Sequence, residues 1–161
     1  MKRVFALFVA VVLILPLCGC SGGEPLTKQE YADSIYYRIS KYFWLENQVG
    51  LAYHEYKTKG TPIDMVKLRE QAQDVETLVI GIKYLTPPSD YKEHHDKFCD
   101  GMRYEKVYFK QLDKAFLAEN MDEFEKSLNK AWEKHEKCTL FGAWIEFLPV
   151  TLKDGVEYDD I

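Results

Sequence analysis

Apolar side chains recur every three or four positions along most of this chain. Past residue 20 no stretch alternates with the period of two that a half-buried strand needs. The spacing predicts four helices, over 28–59, 62–84, 90–118 and 122–147. The first opens on Thr27-Lys28-Gln29-Glu30, a capping box, and closes at Gly60, a residue suited to the left-handed position after a helix. The second opens on Thr61-Pro62 and carries Met65, Leu68, Ala72, Val75, Val79 and Ile82 on one face. Pro87-Pro88 ends it, because the residue before a proline is pushed out of helical geometry. Ser89 caps the third, whose stripe is Tyr91, His95, Phe98, Met102, Glu105, Phe109, Leu112 and Phe116. An Asp122-x-x-Glu125 start opens the fourth. Its stripe runs through Phe124, Leu128, Ala131, His135, Cys138, Gly142 and Ile145, and Pro149 is the expected stop.

Connections this short make consecutive helices antiparallel neighbours. The expected fold is therefore all-α, an antiparallel up-down-up-down four-helix bundle over residues 27–149. Two loosely packed hairpins, or a three-helix core with the first helix partly detached, are the alternatives. Residues 150–161 lack helical periodicity and carry Asp154, Glu157, Asp159 and Asp160. They read as an irregular acidic tail, mobile or loosely laid on the bundle.

The first twenty residues follow a different rule. Lys2 and Arg3 precede an uncharged run over 4–17, broken only by Pro16. Such a run is too short to span a bilayer, which takes about 20 apolar residues, and it suits the apolar region of a secretory signal. Leu17-Cys18-Gly19-Cys20 follows and resembles the lipobox of bacterial lipoproteins, with Cys18 an unusual occupant of a small-residue position. The resemblance covers residues 1–20. It implies removal of 1–19 as a signal peptide, acylation of the Cys20 thiol (palmitate among the acyl groups) and a domain held to the cell membrane outside the cytoplasm. Residues 20–26 would then be a lipidated cysteine and a linker, and a few residues at about 3.5 Å each let the domain rise less than ~20 Å.

Charge narrows the partners. The 161-residue chain has a formal net charge of −5. Losing Lys2 and Arg3 leaves 19 basic against 26 acidic residues, a net of −7. Nucleic acid would be repelled, and an acidic domain stands off an anionic lipid surface.

Cys99 and Cys138 are the two cysteines outside the lipobox region. Counted from the turn between the third and fourth helices, their heights differ by about three residues, ~4.5 Å. A disulfide is expected between them, closing a loop of about 39 residues and stabilising by ~4 kcal/mol. His95 and His135 complete a Cys₂His₂ set on paper. However, they fall one turn to opposite sides of the cysteine pair, whereas zinc needs its ligands within about 2.3 Å of one point. No metal and no cofactor is expected. Glu93-His94-His95-Asp96 spreads around a helix, at ~100° per residue, and reads as a solvated helix start with one inward histidine.

Catalytic signatures are missing from the sequence. It has no Glu-x-x-His of di-iron bundles, no His-Glu-x-x-His, no Cys-x-x-Cys-His, no Gly-x-Ser-x-Gly and no phosphate-binding loop. What stands out is the aromatic load of the first helix: Tyr31, Tyr36, Tyr37, Tyr42, Phe43, Trp44, Tyr53 and Tyr56. Either they form a wide aromatic core face with the Tyr hydroxyls reaching water, or they carry more apolar surface than one bundle seam buries. Tyr36, Tyr37, Phe43 and Trp44 are the candidate partner surface, some of them remaining solvent-accessible. Over 62–147, Leu85-Thr86-Pro87-Pro88, His95 and a second long hairpin resemble small helical-bundle lipoproteins of Gram-positive bacteria, a resemblance that transfers no functional residues. The expectation is a non-enzymatic, membrane-tethered binding or adaptor module for a protein or cell-envelope partner. A small-ligand carrier or sensor with a Tyr/His-lined pocket inside the bundle is the alternative.

Overall fold

The computed structural model describes residues 24–136 and 139–158. Among the described residues there is no strand, and five α-helices pack together: α1 (Lys28–Lys59), α2 (Met65–Ile80), α3 (Lys92–Phe116), α4 (Met121–His135) and α5 (Leu140–Lys153). Short 3-10 turns occupy Gly81–Tyr84 and Ser89–Tyr91.

The start of α1 is fixed by its capping box. The Glu30 amide donates to Thr27 Oγ1 at 3.2 Å, and the Thr27 amide donates to Glu30 Oε2 at 2.9 Å. Gly60 closes the helix at φ 70°, its amide donating to the Tyr56 carbonyl. Elsewhere the chain chooses different caps. α2 begins after Asp64, whose Oδ1 accepts from the Lys67 amide at 3.0 Å, and not at Thr61-Pro62. A carboxylate accepts that bond more strongly than a threonine hydroxyl and complements the helix N-terminus. α4 begins after Asn120 rather than Asp122, with Asn120 Oδ1 accepting from Glu123 at 3.0 Å.

Ring contacts set the directions. Tyr31 near the start of α1 meets His95 of α3 and Phe147 of α5. Tyr42 meets Tyr108, Phe109 and His135, and Tyr53 meets Phe124 and Trp132. α3 therefore runs with α1, and α4 followed by α5 runs against it. α2 packs on α1 and α3. Ion pairs pin the seams: Lys57–Glu125, Arg69–Asp113, Lys97–Glu146, and Lys28 between Asp90 and Asp154.

The fourth predicted helix is the main correction. It is two helices, broken after His135 and restarted at Leu140. The break lies against Gly101 of α3, where a Cβ would come within 3.0 Å of the Leu140 amide nitrogen and 3.1 Å of its Cα. The absence of a side chain there lets the connection approach α3. The restart shifts the helical phase, so α5 buries Leu140, Ala143, Trp144, Phe147 and Thr151. Gly142 and Ile145, expected to face inward, are exposed.

Pro149 does not stop the helix. α5 runs through it to Lys153 and ends at Gly155, φ 78°. The Val156 amide donates to the Thr151 carbonyl at 3.0 Å and the Gly155 amide to Leu152 at 3.2 Å, the paired bonds of a Schellman ending. Residues 150–158 are therefore not a loose tail. Val156 is buried, Tyr158 packs on Tyr36 and Trp144, and Gln29 exchanges two hydrogen bonds with the Glu157 backbone.

Candidate functional site

The four aromatic side chains singled out on α1 divide between two faces. Tyr36 stacks on Trp144 with ring centres 5.7 Å apart, and Phe43 meets Phe141 edge-on at 5.3 Å. Both are partly covered by α5. Tyr37 and Trp44 are seven residues apart, hence on one stripe of the helix, and stay 42% and 41% exposed on the α2 side.

With α2 they line an open groove of about 480 Å³, together with Lys41, Gln71, Asp74, Val75, Thr77 and Leu78. Lys41 Nζ lies 5.5 Å from the centre of the Tyr37 ring. The side chains of Asp74 and Gln71 make no hydrogen bond or ion pair with the rest of the described chain, and Trp44 stacks on no other described ring. The groove thus offers an aromatic plane, an apolar floor at Val75 and polar groups of both kinds. Its lining is therefore mixed and open to water rather than that of a packed seam.

Two polar clusters lie inside the bundle, and sequence reasoning assigned them no role. In the first, His135 Nδ1 lies 2.6 Å from the Tyr42 hydroxyl and 2.9 Å from Glu46 Oε1. The Tyr42 hydroxyl is also hydrogen-bonded to the buried carboxyl of Glu105. With a proton on Nδ1 the imidazole shares its one N–H between the Glu46 carboxylate and the Tyr42 oxygen, and Tyr42 donates onward to Glu105. The Glu46 hydrogen bond raises the His135 pKa above 6.5 against the opposing effect of burial. Burial first, and then the Glu105 and Glu46 charges, hold the Tyr42 phenol protonated far above its ordinary range.

The second cluster joins Tyr31, His95 and Cys99. The Tyr31 hydroxyl lies 3.1 Å from His95 Nδ1, and Cys99 Sγ lies 3.4 Å from His95 Nε2. Burial lowers the His95 pKa and raises that of the Cys99 thiol, with Asp96 and Asp100 adding to the latter. The pair is neutral, so Cys99 is not an activated thiolate. These two histidines engage α1 eleven residues apart, at Tyr31 and Tyr42. Among the described residues, no group of three His, Cys, Asp or Glu is placed to hold a metal ion.

Cys99 is a free, half-buried thiol at the edge of a recess of about 200 Å³ with Ile80, Lys83, Met102, Arg103 and Lys106. It faces α2. The connection between α4 and α5 packs instead on Gly101, about 200° further round α3 at ~100° per residue. Cys138, the expected disulfide partner, and Cys20, the expected acylation site, both lie outside the described residues.

Comparison of the chain with protein-family models, curated proteins and solved structures finds no match.

Proposed function

We propose that this chain is an extracytoplasmic lipoprotein, anchored in the cell membrane through Cys20, whose helical domain is a non-enzymatic binding module. In this reading the five helices form one antiparallel bundle of four legs, the last leg being α4 and α5 in succession. The groove between α1 and α2 receives the partner, a protein or a component of the cell envelope. The observation that carries the reading is the exposure of Tyr37 and Trp44 on that groove beside the unpaired Asp74 and Gln71. Large aromatic side chains left in water on a rigid helix supply contact area at little entropic cost, and so mark the centres of interfaces. The basic-residue deficit argues against nucleic acid as the partner. The lipobox resemblance supports the anchor, and the absence of catalytic motifs from the sequence supports a binding role.

A photoreactive benzoyl-phenylalanine introduced at Trp44 tests the groove in intact cells, with one at the exposed Lys130 of α4 as control. Adducts of defined mass at position 44, absent at 130 and lost when Tyr37→Ala is added, support the reading. Equal labelling at both positions, or none at 44, overturns it.

A further inference from the structure

α5 is apolar on two faces. Glu146 and Lys153 are its only charged residues, and its inward face is Leu140, Ala143, Trp144, Phe147 and Thr151. On the outer face lie Phe141, Ile145 and Leu152, 51%, 50% and 56% exposed, with the half-buried Leu148 among them. At ~100° per residue these four fall within an arc of about 60°, a continuous stripe along the helix. The partly covered Phe43 of α1 extends it. A helix face this apolar is normally buried, and nothing among the described residues covers it.

What covers it follows from where the chain begins. Lys28 at the start of α1 is paired with Asp154 just past α5, at 2.9 Å, and Gln29 bonds the Glu157 backbone. The Leu26 amide bonds the Thr86 carbonyl at the same end of the molecule. The described chain therefore starts beside the Leu152 end of the stripe, and Cys20 is only four residues before Glu24, at most ~14 Å of chain. At ~1.5 Å per residue α5 is about 21 Å long. It is too short to span a bilayer of about 30 Å, but of a size to lie in the interface with one face in the acyl region.

We propose that the outer face of α5 is a membrane seat: Phe141, Ile145, Leu148 and Leu152 rest in the leaflet that holds the acylated Cys20. The inference depends on the anchor proposed above. It changes the expectation that an acidic domain stands off the lipid, because the seating stripe carries no ionised side chain; Lys153 and Glu146, the latter paired with Lys97, both lie to one side of it. α5 and α2 both pack on α1 and α3, with α5 beside Gly101 and α2 beside Cys99, on opposite flanks of α3. Seating α5 on lipid consequently turns α2 and the Tyr37–Trp44 groove away from the membrane.

The test uses the full chain isolated from membranes and reconstituted into phosphatidylcholine vesicles that contain a diazirine-bearing acyl chain. After photolysis, lipid adducts are mapped by mass spectrometry. The proposal expects adducts on the segment from Phe141 to Leu152 and none at the exposed Val66 of α2. Ile145→Glu, an exposed site, should reduce α5 labelling several-fold with unchanged helical circular dichroism. Adducts confined to the residues next to Cys20 overturn the seat and leave the anchor standing. Protein–protein cross-links joining the α5 helices of two chains overturn it in favour of a dimer. A chain without an acyl group overturns the anchor and the seat with it.

Discussion

At the scale of single residues, His95 and His135 respond to pH in opposite directions. His135 has a folded pKa above 6.5, chiefly through its hydrogen bond to Glu46. Its charged form stabilises the fold below that value, and the contribution is lost as pH rises through the folded pKa. Burial depresses the pKa of His95. Its contribution is present above 6.5 and is lost as pH falls, because the unfolded chain takes up a proton that the folded site refuses. Unfolding midpoints measured from about pH 5 to about pH 8 should fall at both ends. His135→Gln is expected to flatten the alkaline fall and His95→Gln the acid fall. A variant that leaves its own limb unchanged contradicts the assignment. Phe147 makes the tightest aromatic cluster, with Tyr91 at 4.9 Å, Phe98 at 5.6 Å and Tyr31 at 5.8 Å. Phe147→Ala should cost about 3–5 kcal/mol in chemical denaturation. A loss under about 1 kcal/mol would mean the ring is not packed as described.

At the scale of elements, the break between α4 and α5 depends on Gly101. A glycine inside a helix costs about 1 kcal/mol relative to alanine, so its presence in α3 needs a reason. The close approach of Leu140 and Thr139 supplies one. Gly101→Val should lower stability by about 2 kcal/mol through overpacking against backbone, and an unchanged denaturation midpoint would remove that reason. The first three helices were legible as elements from their apolar periodicity, and the capping box and Gly60 marked both ends of α1; the starts of α2 and α3 were not, since Asp64 caps α2 and Ser89 lies in a 3-10 turn before α3 without capping it. Every residue of the third stripe, Tyr91 to Phe116, is buried. The fourth was not, because α5 is apolar on both sides and periodicity alone does not choose between Ile145 and Phe147. The stripe counted from Phe124 holds as far as His135 and then runs onto the outer face. Pro149 was the wrong stop. The paired bonds at Gly155 and the burial of Thr151 and Val156 favour the longer helix, and Gly155 was the available signal. The groove was half legible: excess aromatics pointed to α1, but which of Tyr36, Tyr37, Phe43 and Trp44 face water depends on where α2 and α5 pack. The buried Tyr42–His135–Glu46 cluster joins residues far apart in sequence, and only the packing brings it together.

At the scale of the whole molecule, anchor, seat and groove define one orientation. As proposed, the chain would be tethered beside the Leu152 end of α5, with α5 facing lipid and the α1–α2 groove facing outward. Thiol titration of the denatured, unreduced protein belongs to this scale, because it reports whether the thiol held between α3 and α2 stays unpaired. Cys99 should be reactive, and a chain with no reactive thiol would contradict the free Cys99 described. The anchor itself is tested most directly by the intact mass of the protein isolated from membranes of the cells that make it. The account predicts a chain beginning at Cys20 and heavier than its 142 residues by the acyl groups, with Cys20→Ser either unprocessed or released to the soluble fraction. A chain beginning elsewhere, or a correctly cleaved Cys20→Ser protein that still partitions with membranes, would contradict it.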